Sequence, residues 1–508
     1  MVAKPICATH WVFDSAPNGK GLLWESYTGP ATAKTYFRTH SYDVLSRPQQ
    51  TVEQLADGQY RSSIIYDAWG RVIQQSYQRQ QNATKAFATR YNKFGFAERF
   101  ERGSLVLGAI KSMDAAARPT SILLGNGLLA TQNYYANTGR LDTSNLAPNG
   151  NSAQIRLAQK YEYDKLGNLT LRSQSWDANE KFTERFDYDV LNRISFSRVD
   201  NQAQQNFTYD AVGNLLSKTG VGTGSYVYPT QGVNAVRPHA PQSIPGIGSF
   251  EYDNNGNLIN GAGRSITWTS FDMPLQISKG SITAKFSYGP EHNRIKKERS
   301  DGSTEIYAGA QIVEKDAAGI LTIKTYWPAG LGLEIDRPQV SNSELNWTHV
   351  DKLGSVIAIT DEVGNFREKM AYDAWGKRRT LSGAPINGTA TPDNIDGKVD
   401  HRGFTNHEML DQFAKFRRVG TFLCPRAGCV ATCQCMGLGI HAPPLRVGTM
   451  KPCPPLYADL RLLKQGSLAL CLPLIMACAV HCIFLNFPVV SCGVAIAPLR
   501  HCVKKRPP

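Results

Sequence analysis

A short repeated motif constrains the fold of this 508-residue chain more than any other feature. The motif is an aromatic residue, any residue, Tyr-Asp, two variable residues, Gly or Asn, then Arg or Asn and an apolar residue. An internal repeat decides the whole architecture, so it outweighs local propensities. The clear copies are IYDAWGRVI (65–73), YEYDKLGNLTL (161–171), FDYDVLNRISF (186–196), FTYDAVGNLL (207–216), FEYDNNGNLI (250–259) and AYDAWGKR (371–378).

Each copy has the pattern of a β-hairpin. Phe207 and Tyr209 are two residues apart, so both face the same side of a strand. The carboxylate of Asp210 can accept backbone N–H groups two residues later and start a turn. Gly213 follows at a place where such a turn commonly needs a positive φ. Because no helical periodicity interrupts this pattern, it predicts an all-β fold, an extended antiparallel β-hairpin array over about residues 30–410.

The repeat also predicts the environment of individual residues. Glycine, or asparagine in its place, is expected to adopt positive φ in the turns. These residues are Gly70, Gly167, Gly213, Gly256 and Asn192. The repeat tyrosines are expected to be largely buried on one sheet face, because aromatic side chains dominate such packing. These are Tyr163, Tyr188, Tyr209 and Tyr252.

Charge and cysteine content divide the chain near Gln412. The net charge is +14, yet residues 413–508 hold 12 Lys or Arg and a single acid, while the preceding residues are nearly neutral. Ten of the 11 cysteines lie between Cys424 and Cys502. The nearly neutral body gives no reason to expect nucleic acid as a partner. Two different kinds of sequence therefore meet near Gln412.

The Tyr-Asp unit resembles the YD repeats of rearrangement-hotspot (Rhs) proteins, which toxin-complex C components and teneurins share. A more specific match lies in WTHVDKLGSVIAITDEVGNFREKMAYDAWGKRR (347–379) and HRGFTNHEMLDQ (401–412), which resemble the Rhs-associated core. The resemblance covers about residues 13–412. It implies a β-sheet ribbon that spirals into a hollow shell around a toxin, and this chain resembles such a shell truncated at both ends.

The resemblance implies a structural function without catalysis. The chain is then the C-terminal part of an Rhs/YD-repeat β-shell that encapsulates or presents a polymorphic toxin. Its partners are other Rhs or toxin-complex shell segments and an encapsulated toxin polypeptide. One alternative is a YD-repeat module that binds cell-surface carbohydrate, and a second is a toxin with a variable C-terminal effector tail. The expected parts are a YD-repeat array (1–346), an Rhs-associated core segment (347–412) and a divergent tail (413–508).

No catalytic, cofactor-binding or metal-binding residue is assigned. Family members continue after the core with a Gly-Arg-x-Tyr-Asp-Pro stretch and an Asp-Pro-x-Gly cleavage motif, and neither follows Gln412. Glu408 and Asp411 match the core segment and are interpreted as structural. Three histidines lie near that segment, and a structural role is favoured over ligand binding for them. They are His349, His401 and His407.

The divergent tail has four interpretations: a frameshifted or recombined end, a membrane-associating segment, a variable toxin domain, or a metal site. Residues 467–485 are mostly apolar, and about 20 such residues can span a bilayer. Four cysteines depart from the C-x2-C spacing of zinc sites. They are Cys424, Cys429, Cys433 and Cys435. The tail has one Asp and one Asn for turns, so irregular or partly helical structure is expected there.

The sequence leaves the cellular location open. Residues 1–21 contain no apolar run of the length found in signal peptides. The bacterial cytoplasm and export by a specialised system are both compatible with this, and contact with a membrane would involve residues 467–485.

Overall fold

The computed structural model describes residues 9–176, 180–232, 234–340, 342–385, 397–410 and 413. Over these residues the chain consists of antiparallel strands and turns, with single turns of 3-10 helix and no α-helix. The predicted all-β hairpin array is therefore confirmed. Asp411, the four cysteines of the candidate metal site and the apolar segment 467–485 lie outside the described residues.

Among the described residues, eighteen strands form a first sheet in which each strand pairs with the next along the chain. The strands are β1 (Thr9–Phe13), β2 (Leu23–Thr28), β3 (Tyr36–Tyr42), β4 (Pro48–Leu55), β5 (Gly58–Tyr66), β6 (Val72–Arg79), β7 (Lys85–Tyr91), β8 (Ala97–Arg102), β9 (Leu105–Met113), β10 (Pro119–Leu124), β11 (Leu128–Tyr134), β12 (Leu141–Pro148), β13 (Leu157–Tyr163), β14 (Leu169–Trp176), β15 (Glu180–Tyr188), β16 (Ile194–Val199), β17 (Gln205–Tyr209) and β18 (Leu215–Lys218).

A second sheet follows the same rule of sequential antiparallel pairing, and a two-stranded ribbon comes after it. The strands are β19 (Ser243–Ile244), β20 (Gly248–Tyr252), β21 (Leu258–Gly261), β22 (Arg264–Trp268), β23 (Pro274–Lys279), β24 (Ile282–Tyr288), β25 (Arg294–Arg299), β26 (Thr304–Ala308), β27 (Gln311–Lys315), β28 (Leu321–Tyr326), β29 (Gly332–Arg337), β30 (Asn342–Val350), β31 (Val356–Thr360), β32 (Phe366–Lys369), β33 (Ala371–Tyr372) and β34 (Arg378–Arg379).

The turn Met113–Arg118 belongs to a second compact unit, whereas the other described residues belong to the main unit. Within this turn, the Asp114 carboxylate accepts the N–H groups of Ala116 and Arg118, both at 2.9 Å. The Arg118 guanidinium also donates to the same carboxylate. This turn has Met113 and Ala117 in place of the Tyr and Gly of the motif, yet it keeps the turn geometry that the main unit repeats.

The Asp-x-x-Gly part of the motif builds the turn. The Asp210 carboxylate accepts the N–H of Val212 at 3.0 Å and that of Asn214 at 2.7 Å, and the Asn214 side chain also donates to it. Gly213 closes the loop with a φ of +93°. Such a three-residue loop is a type I turn followed by a left-handed residue. Every predicted positive φ is confirmed, at Gly70, Gly167, Gly213, Gly256 and Asn192.

The motif tyrosine couples each hairpin to the preceding one. The Tyr209 hydroxyl donates at 3.0 Å to the carbonyl of Ile194, the first residue of β16. Burial raises the pKa of Tyr209 to about 12, so the hydroxyl keeps its proton and donates. The same contact to the first residue of a preceding return strand is made by Tyr42, Tyr66, Tyr91, Tyr163, Tyr188 and Tyr288.

The motif arginine adds a second coupling between neighbouring hairpins. Arg193 pairs with Asp189 of its own turn at 2.7 Å. Its guanidinium carbon lies 4.6 Å from the ring centre of Tyr209, in the next hairpin, and it donates to the Asp210 carbonyl at 3.0 Å. Two equivalent arginines stack in the same way on the tyrosine of the next hairpin. They are Arg47 and Arg71.

The repeat tyrosines are less buried than the sequence suggested. Tyr163, Tyr188, Tyr209 and Tyr252 are all only partly buried. Each lies beside its turn at the edge of a sheet, so it reaches its neighbours without entering the core. In three of these hairpins the aromatic residue two positions earlier is buried instead, whereas Phe250, two positions before Tyr252, is only partly buried. The three buried residues are Tyr161, Phe186 and Phe207.

The largest hydrophobic core lies between the two sheets. Trp176, on β14, is buried and donates its indole N–H to the Ile357 carbonyl on β31 at 2.9 Å. Trp347, on β30, is also buried and donates to the Leu107 carbonyl on β9 at 2.8 Å. Each indole thus satisfies its polar group on the opposite sheet, as a buried donor must. The two sheets of the main unit are therefore packed face to face here.

Candidate functional site

Residues 397–410, here called the docked segment, lie against the last strands of the second sheet. The Glu368 carboxylate accepts the N–H groups of Lys398 at 2.9 Å and Val399 at 3.1 Å. The Gly403 carbonyl accepts the N–H of Val356 at 3.0 Å. Buried backbone groups need partners of this kind. These bonds therefore hold the docked segment as an ordered part of the fold, although it contains no named strand.

Glu408 anchors the docked segment through charge. Its carboxylate accepts hydrogen bonds from Arg294 at 2.6 Å, from the Tyr307 hydroxyl at 2.9 Å and from Lys297. Lys297 also pairs with Glu305 at 2.7 Å, and its side chain is 1% exposed. These five residues are here called the ion clamp. A lysine and a glutamate at such depth are tolerated because each is paired and hydrogen-bonded.

A second group of charges extends the contact along the docked segment. Asp400 accepts a hydrogen bond from the Tyr326 hydroxyl at 2.7 Å, and the Arg402 guanidinium lies 3.4 Å from the Tyr326 ring centre. His401 lies 3.6 Å from Glu314, which pairs with Lys324 at 2.6 Å. Three consecutive residues of the docked segment thus meet charged or aromatic side chains of β27 and β28.

Burial and neighbouring charges shift the pKa values of Glu305, Glu314 and His401 in different directions. Although burial opposes it, Lys297 and Arg299 hold the pKa of Glu305 below its usual value. Burial raises the pKa of Glu314, with Lys324 opposing. Burial, together with Lys324 and Lys297, lowers the pKa of His401 well below its usual value. The imidazole is therefore neutral at neutral pH, and the glutamates are balanced by ammonium groups.

Glu305, Glu314 and His401 are the described residues best placed to hold a metal ion, because their ligand atoms lie within 4.8 Å of one another. Two buried lysines already contact these carboxylates and supply the positive charge that a cation would bring. The arrangement fits an internal ion network better than a metal centre. These ion pairs and hydrogen bonds can hold the docked segment against the second sheet.

A separate buried group joins the two-stranded ribbon to the first sheet. Glu184 accepts hydrogen bonds from Arg172 at 2.8 Å and from Arg379 at 2.7 Å, and all three side chains are buried. Arg172 also donates to the Tyr372 carbonyl at 2.6 Å. Burial opposes ionisation of Glu184, but the two arginines hold its pKa below the usual value. This group is here called the arginine triad.

The structural role expected for the histidines and Glu408 stays a prediction, and all four side chains contact other groups of the protein. His349 is buried with Nε2 2.9 Å from the Thr360 hydroxyl, and His407 lies 2.8 Å from Thr405. Sequence reasoning missed Lys297 and Glu305. The available signal was a lysine two residues after Ile295 on the inward face of β25. Within the described part of the chain, no helix has the length and apolar character to cross a membrane.

Parts of this chain are similar in sequence to curated proteins. No family model matches the chain. The tRNA3(Ser)-specific nuclease WapA of Bacillus spizizenii is 27% identical over 229 residues, which are 44% of this chain and 9% of that protein. The double-stranded DNA deaminase toxin A of Burkholderia cenocepacia is 24% identical over 258 residues, which cover 44% of this chain and 17% of the toxin.

A solved structure shares the fold over most of the chain. A chain of the Photorhabdus luminescens Tc holotoxin pore, solved with a substitution in TccC3, aligns with a TM-score of 0.54 and 14% identity over 73% of this chain and 22% of that chain. The fold is thus an antiparallel hairpin array similar to that of this Tc toxin chain. This chain spans less than a fifth of the curated relatives above.

Proposed function

We propose that this chain is a structural, non-catalytic part of an Rhs/YD-repeat β-shell that encapsulates or presents a toxin polypeptide. The observation that carries the proposal is the ion clamp, which fastens the end of the Rhs-core-like sequence to the second sheet. A β-shell that encloses a polypeptide needs rigid sheets and terminal segments that are held in place. The tyrosine and arginine couplings between hairpins supply the stiffness, and the clamp secures the docked segment.

The likeness to a Tc toxin chain and the toxin names of the relatives support this function over a carbohydrate-binding module. A sugar-binding ladder needs open aromatic faces. In the repeats, guanidinium groups cover the rings of Tyr66, Tyr91 and Tyr209, and the hydroxyls already bond to backbone carbonyls. These tyrosines therefore serve the sheet itself.

A first experiment separates the structural function from that of a toxin. The full chain is expressed in Escherichia coli, and growth, tRNA integrity and deamination of genomic DNA are measured. We expect normal growth, intact tRNA and unaltered DNA. Growth arrest accompanied by tRNA cleavage or DNA deamination would contradict the structural function and favour the toxin alternative.

A second experiment tests enclosure. An unfolded reporter polypeptide is joined after residue 508, and its half-life under added protease is compared with that of the free reporter. We expect protection of about tenfold or more. Glu408→Gln should weaken the clamp and reduce this protection, whereas Glu298→Gln, in a partly exposed pair with Lys296 on the same strand as Lys297, should not. Equal half-lives for joined and free reporter would contradict enclosure.

A further inference from the structure

Large apolar side chains are exposed at the hairpin turns of the first sheet. In six turns, the residue two places after the Asp or Asn that starts the turn is apolar and at least half exposed, up to 80% for Trp69. Exposed turns ordinarily favour Gly, Pro, Asn, Asp and Ser. These residues are here called the tip row and comprise Leu45, Trp69, Phe94, Leu166, Leu191 and Val212.

The topology places the tip row on one edge of the first sheet. Each of the six turns joins an odd-numbered strand to the next even-numbered strand, and in a sequentially paired meander all such turns share an edge. Turns of consecutive hairpins are separated by two strand spacings, about 10 Å. The tips therefore form two periodic apolar groups, Leu45 to Phe94 and Leu166 to Val212, which are separated in strand order by two hairpins without a large apolar tip.

The turns that carry these tips are held rigidly. The backbone of each turn is fixed by its Asp or Asn side chain, as in the 189–193 turn, where Asp189 accepts the N–H groups of Leu191 and Arg193, both at 2.9 Å. The stacked arginine fixes the position of one turn relative to the next. Little conformational freedom remains to be lost on association, which favours binding.

One turn of the same kind shows what covers such a tip. In the 373–376 turn, Asp373 accepts the N–H groups of Trp375 at 2.8 Å and Lys377 at 2.9 Å, so Trp375 occupies the tip position. Its ring lies 5.4 Å from that of Phe207 and 5.3 Å from the ammonium of Lys218, both in the first sheet. A tip of this type is thus covered by a YD-repeat sheet of this chain.

We propose that the tip row is a self-association surface that packs against the first sheet of a second copy of this chain. About a two-fold axis, the tip row of each copy contacts the first sheet of the other copy, so both rows are covered by the same interface. Charges largely cancel beside the tips, because Asp43–Arg47, Asp67–Arg71 and Asp189–Arg193 pair within their turns. Two tip rows therefore do not repel each other strongly. The same pairing means that the tip row has no excess of positive charge of the kind that binds anionic lipid.

Sedimentation velocity of the full chain over a range of concentrations, under reducing conditions, tests the proposal. The tip variant carries Trp69→Ser, Phe94→Ser, Leu166→Ser and Leu191→Ser. The control carries Ile155→Ser and Val236→Ser, which remove exposed apolar residues from other loops. We expect the wild-type chain to associate, the tip variant to need at least about tenfold higher concentration, and the control to match the wild type within about twofold.

Thermal unfolding checks that the tip variant is folded, and its midpoint should equal that of the wild type because the tips are exposed. A wild-type chain that stays monomeric at every concentration overturns the proposal, as does a tip variant that associates as the wild type does. Binding to phosphatidylglycerol vesicles that depends on the tips, without any change in self-association, would also overturn it. Association needs no toxin polypeptide, so this outcome is independent of the proposed shell function.

Discussion

The hairpin turns and the buried ion groups both hold separate stretches of backbone together, but they do so over different distances in the sequence. In a turn, Asp189 and Arg193 are four residues apart and partly exposed. In the ion clamp, Glu408 is 111 residues from Lys297 and 114 from Arg294. The turn is repeated many times, whereas the clamp and the arginine triad each occur once among the described residues. A single substitution should therefore matter more in the buried groups.

The largest expected effect is at the arginine triad. Glu184→Gln removes the carboxylate that pairs with both buried arginines, Arg172 and Arg379, and breaking a buried ion pair in this way costs about 3–5 kcal/mol. Urea denaturation monitored by tryptophan fluorescence measures the change in unfolding free energy. Glu180→Gln, on the same strand, breaks only the more exposed pair with Lys369 and should cost less than about 1 kcal/mol. Equal losses in the two variants would contradict the contrast between buried and exposed charges.

The second largest effect is expected from acid, which should lower the free energy of unfolding through the buried side chain of His349. Burial lowers the pKa of His349 to about 4, whereas an unfolded chain has a histidine pKa of about 6.5. The unfolded state then binds a proton that the folded state lacks. The stabilising contribution is complete above pH 6.5 and is lost as pH falls toward 4, at about 1.4 kcal/mol per pH unit.

His349→Gln should remove that part of the pH dependence. Between pH 6.5 and 4, the unfolding free energy of the variant should fall by about 3 kcal/mol less than that of the wild type. The difference between the two proteins at pH 7.5 reports packing and hydrogen bonding alone, and so serves as the reference. Parallel profiles for the two proteins would show that His349 does not titrate differently on folding.

The range of the contacts explains how much could be predicted from the sequence. The turn at 210–214 was predictable because Asp210, Gly213 and Asn214 meet within five residues, and alternation of apolar residues assigned the strands. The ion clamp was not predictable in detail, because Lys297 and Glu408 meet only once the chain has folded. The motif predicted a structural role for Glu408, while the partners of Glu408 carried no local signal apart from the inward position of Lys297.

A turn glycine should show a smaller effect than the buried groups. Gly213 has a φ of +93°, and no heavy atom lies within 4 Å of the place that a Cβ would occupy. Gly213→Val should therefore cost about 1–2 kcal/mol through backbone strain alone. Asn192→Gly, at the equivalent place in the preceding hairpin, relieves strain and should not destabilise the protein. Unchanged stability of the Gly213→Val variant in urea would contradict the turn geometry.

The smallest effect is expected for the hydroxyl that links two hairpins. Tyr209→Phe keeps the ring beneath Arg193 but removes the 3.0 Å hydrogen bond to the Ile194 carbonyl, which should cost about 1 kcal/mol. Thr208→Ser, at the neighbouring exposed position, keeps the hydroxyl that lies 2.6 Å from the Ser217 hydroxyl and should change stability by less than about 0.5 kcal/mol. Hydrogen exchange adds a local measurement, because loosening of the contact should speed exchange in β16 and β17 before other strands. If β16 and β17 exchange as in the wild type and stability is unchanged, the tyrosine acts through its ring alone, and the coupling between hairpins rests on the arginine.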